Sequence, residues 1–142
     1  MATFCETVAA DRWLLATLNA NSALVALVGT KIYGYLAPNS AVAPYVVFEY
    51  EDGDDEQGVG GARVLSALRY KVVAVGETLT FGSIEGIAKQ IDAALHGKQG
   101  AISGGGYVNE CIRIGPVAGV EPIDGNRQFR HLGGRYQLRV SE

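Results

Sequence analysis

Residues 51–63 read EDGDDEQGVGGAR and lie between two strand-like segments. Five of the first six are acidic, and Gly58, Gly60 and Gly61 follow. Carboxylates at this density could hold a hard divalent cation through oxygen ligands. The order of Glu51, Asp52, Asp54, Asp55 and Glu56 lacks the DxDxDG spacing of a helix–loop–helix calcium site, so the residues read as a solvated, self-repelling loop. Glycines can also cradle phosphate, but that needs a strand before and a helix N-terminus after. Residues 58–61 and 104–106 both run into strand-like sequence, and acids beside the first repel phosphate. Neither implies a cofactor.

Other chemistry-bearing residues are sparse. The two histidines have separate settings: His96 at a helix end, where a cation is favoured, and His131 within the basic run RQFRHLGGR. Neither stands beside a suggestive serine or cysteine, and GxSxG is absent. Cys5 and Cys111 match neither a CxxC metal pattern nor a secreted disulfide framework and read as reduced thiols. Arg127, Arg130, Arg135 and Arg139, with Phe129 and Tyr136, form a basic and aromatic cluster near the C-terminus. It could hold phosphates. The acidic balance of the chain favours pairing with carboxylates instead, within the subunit or across a protein interface.

The elements that must position these residues follow from periodicity. Residues 7–18 read as an Ala-rich helix with Val8, Leu15 and Leu18 on one face and Trp13 or Leu14 alongside. Ser22 is expected to cap a short helix over 23–28, with Gly29 ending it. Strands are expected over 31–36 and over 45–50, where Pro44 suits a strand start. The acidic loop follows, then a strand over 64–75 with Leu68, Tyr70, Val72 and Ala74 on one face and Arg69, Lys71 and Val73 on the other. This predicts an antiparallel hairpin with an oversized tip. Residues 81–96 form the clearest helix, with Ile84, Ile87, Ala88, Ile91, Ala94 and Leu95 in one stripe, Thr80 or Ser83 capping its start and Gly97 its end. A flexible link over 100–106, a strand over 107–115, a turning segment over 116–127 and a last strand ending GRYQLRV complete the chain.

Runs of strands and helices in this order predict a single α+β domain over residues 1–142, a mainly antiparallel sheet with helices packed on one face. The chain has 142 residues, enough for a real core. Its net charge of −3 argues against general binding to nucleic acid or to an anionic membrane. Only 19% of residues are charged, which suggests a surface partly covered by a partner. No apolar run approaches a membrane span. The N-terminal stretch lacks the pattern of a signal peptide, so a cytoplasmic setting is expected.

With these segments in place, the chain resembles the tail-completion, or tail-terminator, proteins of long-tailed bacteriophages. The resemblance is carried by ALVALVG, KIYGYLAP, PYVVFEY, YKVVAVG and IEGIAKQIDAAL, over roughly residues 8–95, with GRYQLRV in a compatible place. The glycine-rich residues 97–106 depart from it. The resemblance implies a non-enzymatic virion protein of the tail and neck, assembled in the host cytoplasm. Six copies would ring the end of the tail tube, stop its polymerisation and meet the head-completion protein, with DNA passing through without specific binding. It also suggests a role for Glu51, Asp52, Asp54, Asp55 and Glu56, presented six times toward the lumen or the tube, where an acidic lining repels DNA. The four arginines become candidate subunit-interface residues. YVVFEY or GRYQLRV could supply a sheet edge to a neighbour. A head-completion or tube subunit, and a small enzyme or ligand-binding domain, remain alternatives.

Overall fold

The computed structural model describes residues 5–61 and 63–142, so residues 1–4 of the stretch read for a signal peptide, and residue 62 of the acidic segment, lie outside the described residues. No described helix is long and apolar enough to cross a membrane. The elements are α1 (Glu6–Asn19), α2 (Ser22–Val28), β1 (Ile32–Gly34), β2 (Tyr45–Gln57), β3 (Arg63–Glu77), α3 (Glu85–Leu95), β4 (Lys98–Ala101), β5 (Tyr107–Pro122) and β6 (Gln128–Ser141). One six-stranded sheet runs β1-β2-β3-β6-β5-β4. Every pairing is antiparallel except β1 with β2. The expected α+β class, with helices on one face of a mainly antiparallel sheet, is what forms.

Alternation along β3 builds the core. Leu68, Tyr70, Val72 and Ala74 meet Leu138, Tyr136 and Val140 of β6 and Val46 and Phe48 of β2 beneath the helices. Ile84, Ile87, Ile91, Ala94 and Leu95 form the expected buried stripe. Its helix is shorter than expected: Phe81–Ile84 is a separate 3-10 turn. Neither Thr80 nor Ser83 caps α3, because the hydroxyls of Thr78, Thr80 and Ser83 bond one another at 2.9 Å. In α1 the buried face is Ala9, Ala10, Trp13, Leu14 and Leu18, while Val8 and Leu15 are exposed, a rotation from the expected stripe. Small alanines let the helix lie close to the sheet. The cap of α2 is Asn21, not Ser22: its Oδ1 accepts the Leu24 N–H at 2.9 Å. Gly29 ends α2 with φ +64°.

Two tyrosines tie helices to the sheet. Tyr70 and Tyr136 are direct cross-strand partners. Tyr70 donates to Asp11 of α1 at 2.6 Å, and Tyr136 donates to Asp92 of α3 at 3.0 Å. Burial raises both phenol pKa values, and the neighbouring carboxylates raise them further. Burial likewise pushes the Cys111 thiol up to about 12, whereas Cys5 is exposed; both are free.

Three expectations about the sheet need correction. The acidic segment is strand, not loop: β2 runs through Gln57, and the described part of the tip shrinks to a short turn over 58–61. β4 reaches into the start of the expected flexible link: Gly100 and Ala101 pair with Val108 and Tyr107 of β5. Finally, β5 does not end near residue 115. It continues through Pro116 to Pro122, and only residues 123–127 turn, around Gly125 at φ +62°. A proline fits there because β4 covers only the start of β5, so no neighbouring strand needs the missing N–H. Beside it, β6 crosses β3 closely. A Cβ on Gly133 would lie 2.1 Å from the Val72 carbonyl oxygen, so only glycine fits this crossing.

Candidate interaction surface

Since Tyr70, Val72 and Ala74 face the helices, Arg69, Lys71, Val73 and Val75 face the other way. That second face carries no helix, and two kinds of side chain divide it. At the end near the β5–β6 turn, Tyr45, Val47, Val73, Val75 and Phe129 surround an apolar depression. At the end near the β2–β3 turn lies a ladder of ion pairs. Arg69 Nε meets Asp52 at 2.7 Å while its Nη2 meets Asp54 at 2.8 Å. Lys71 meets Glu49 at 3.0 Å, Arg135 meets Glu51 at 2.8 Å, and Arg139 meets Glu56 at 2.9 Å. Asp55 points to the other side, accepts from Ser66 Oγ at 2.6 Å and has Arg63 at 3.9 Å.

This ladder explains why an acidic run folds as a strand. Most of the like charges crowded on β2 are offset by a cation one or two strands away, and cross-strand opposite charges stabilise a sheet. The hydrogen bonds Arg69 donates to Asp52 and Asp54 hold its guanidinium even further above its ordinary pKa. Of the expected arginines, Arg135 and Arg139 join the ladder. Arg127 pairs with Glu77 at 2.6 Å at the opposite end of the sheet, and that hydrogen bond draws the Glu77 carboxyl below its ordinary range. Arg130 has no ion pair among the described residues. It lies over the Phe81 ring at 4.7 Å, donates to Gln128 at 3.1 Å, and has a buried Nε without a partner. Sequence reasoning placed Arg69 and Lys71 on one face without naming them as partners of the acids. Their alternation opposite a fully apolar face was the available signal. The two histidines stay apart: His96 Nδ1 accepts the Arg113 N–H at 3.1 Å, and His131 meets Glu121 at 3.3 Å. Among the described residues no three of His, Cys, Asp and Glu converge as metal ligands.

The margins of the sheet are open. On one side β1 covers only Val46, Val47 and Phe48, leaving residues 49–57 of β2 without a neighbour. On the other, β4 covers β5 only as far as Cys111, leaving residues 112–122 without a strand beside them, although His96 Nδ1 holds the Arg113 N–H there. Ile112, Ile114 and Val120 are exposed along that second margin. Of the two segments expected as possible edges, GRYQLRV is internal, since β6 lies between β3 and β5, whereas β2 is an edge beyond Phe48.

A sheet covered on one face, charge-matched on the other and unprotected at both margins belongs to a protein whose working parts are surfaces. Comparison with known proteins makes this specific. The family model "Tail completion protein gp17" matches residues 12–131, and the chain belongs to that family. It is a phage-type tail completion protein, a structural and non-enzymatic component of the virion. Among solved structures it is similar to a chain titled "Virion of native gene transfer agent (GTA) particle", with a TM-score of 0.70 and 22% identity over 91% of this chain and 92% of that one. At that identity the likeness concerns the fold. No curated protein matches the sequence.

Proposed function

We propose that this tail completion protein terminates the tail tube. Six copies close into a ring on the tube end, block further addition of tube protein, and present their opposite side to the head-completion protein. The observation that carries this reading is the pair of open margins on opposite sides of one sheet. Unprotected edges invite pairing, and a head-to-tail contact between two different margins closes into a ring when its rotation allows. Family membership supplies the tail context.

In such a ring the helices face outward and the helix-free face lines the channel. Glu51, Asp52, Asp54 and Glu56 then face the lumen together with Arg69, Arg135 and Arg139. The lining is balanced in charge rather than strongly acidic. DNA is held off because, among the described residues, Arg69, Lys71, Arg135 and Arg139 on this face are all committed to carboxylates, and phosphate binding depends on uncommitted Lys and Arg. Arg130, which has no carboxylate of its own, is the strongest subunit-interface candidate among the four C-terminal arginines.

Light scattering over a wide concentration range, followed by microscopy with purified tail tubes, tests this reading. A discrete mass of six chains, or capture at one end of the tube, is expected. Open-ended polymers would replace it with a tube-subunit reading. A monomer that tube ends do not capture would overturn it.

A further inference from the structure

The two open margins match each other in direction, reach and charge. From β2 through β3 and β6 to β5 each step is antiparallel, so β5 runs opposite to β2. A sheet carried past β5 into a second copy therefore meets β2 in antiparallel pairing. On β5, Arg113 stands opposite Tyr136 and so projects on the helix side. It donates to the Gly133 carbonyl at 3.2 Å and has no ion pair among the described residues. On β2, Asp55 stands opposite Ser66, also on the helix side. Its one nearby cation among the described residues, Arg63 at 3.9 Å, is held by Glu6 at 2.6 Å. Each margin thus carries one under-compensated charge, of opposite sign and on the same face.

We propose that β5 of one copy pairs along β2 of the next, with Arg113 against Asp55, so that a single sheet continues from subunit to subunit. The proposal rests on the ring reading above and adds the surface that makes the ring. The covering strands require a particular slip between copies. Within one chain Arg113 is level with Tyr50, through Tyr136 and Tyr70. Pairing at that level would drive the tip of β2 against β4. Bringing Asp55 opposite Arg113 sets residues 49–56 along 112–119, clear of the part of β5 that β4 pairs with, and the incoming strand displaces His96 Nδ1 from the Arg113 N–H. The slip is about five residues, or about 17 Å, across four strand spacings of about 19 Å in total. Copies at equal height in a ring accommodate such a slip if their strands lean roughly 40° from the axis, within the roughly 35–45° that closed sheets adopt.

The test uses the full chain carrying Cys5→Ser, alone and on tail-tube ends. With Asp55→Cys and Arg113→Cys together, oxidation is expected to give a covalent ladder of chains ending at the ring mass. Either cysteine alone gives no such ladder. Separately, Asp55→Arg and Arg113→Asp are each expected to raise the concentration needed for assembly at least tenfold, and their combination to restore it. Wild-type rings that are indifferent to both reversals, with no cross-linking by the cysteine pair, would overturn the edge pairing and leave the ring reading standing. A wild-type chain that neither forms rings nor binds tube ends, and gives no ladder from the cysteine pair, would overturn both. Circular dichroism of each variant separates lost assembly from lost folding.

Discussion

The two faces of the sheet are built from the same strands and held by different physics. Under the helices, Leu68, Tyr70, Val72, Tyr136 and Leu138 are nearly or fully excluded from water, and their packing cannot be exchanged piecemeal. On the open face Arg69, Lys71, Arg135 and Arg139 meet acids whose side chains keep access to solvent. Ion pairs of that kind contribute little individually. Together they suit a surface that must stay soluble until it is covered: they neutralise β2 well enough for it to extend, without creating an adhesive apolar sheet. The first face specifies the fold, and the second keeps it usable.

That contrast can be broken in graded steps. Leu138→Ala, in the fully buried layer of β6, is expected to lower stability by about 2–5 kcal/mol in urea unfolding. A loss below the range for surface substitutions would show that the helix-side layer is looser than its burial implies. Next, Tyr136→Phe keeps the ring but removes the bond to Asp92. It should cost about 1.5–3 kcal/mol, because the acceptor is a carboxylate left with less compensation. Arg135→Gln, on the open face, should cost about 1 kcal/mol or less, and the difference should shrink in 1 M salt. A salt-insensitive loss as large as that of Tyr136→Phe would erase the distinction between the faces.

The smallest effect is a pH dependence. Arg127 depresses the folded-state pKa of Glu77, so the pair's stabilisation is fully present above the unfolded carboxyl value. It is lost as pH falls from there through the lower folded value. Urea midpoints of the wild type and Glu77→Gln should therefore differ at neutral pH and converge in acid. A gap that widens in acid would reverse the assignment.

How much of this was legible depends on whether the cause was local. The α3 stripe and the β3 alternation were readable because apolar periodicity is a property of neighbouring residues. The α1 face was misassigned because its buried positions include two alanines, which carry less apolar signal than the exposed Val8 and Leu15. The acidic strand was hidden for another reason. Asp and Gly disfavour strands, and the cations that reverse that preference are remote: Arg135 lies 84 residues from Glu51, and Arg139 lies 83 from Glu56. In β4, the residues KQGA show no alternation, and pairing with β5 alone makes them a strand. Residues 116–122 were expected to turn because Pro122 and Asp124-Gly125-Asn126 are turn-formers, and nothing in the sequence showed that this side of β5 has no neighbouring strand.

The adjacent Tyr70 and Tyr136 have a consequence for motion. Lifting α1 from the sheet strips Asp11 of a hydroxyl partner, and lifting α3 does the same to Asp92. Both ruptures occur at neighbouring points in the most buried part of the molecule, so neither helix opens cheaply and each opening weakens the setting of the other. Low-energy breathing is left to β1, β4 and the uncovered stretches of β2 and β5. In hydrogen exchange the amides at the centres of β3 and β6 should be the slowest, and those at the rims the fastest. The segments free to adjust when a neighbour arrives are thus the ones a neighbour would touch, while the centre holds its shape.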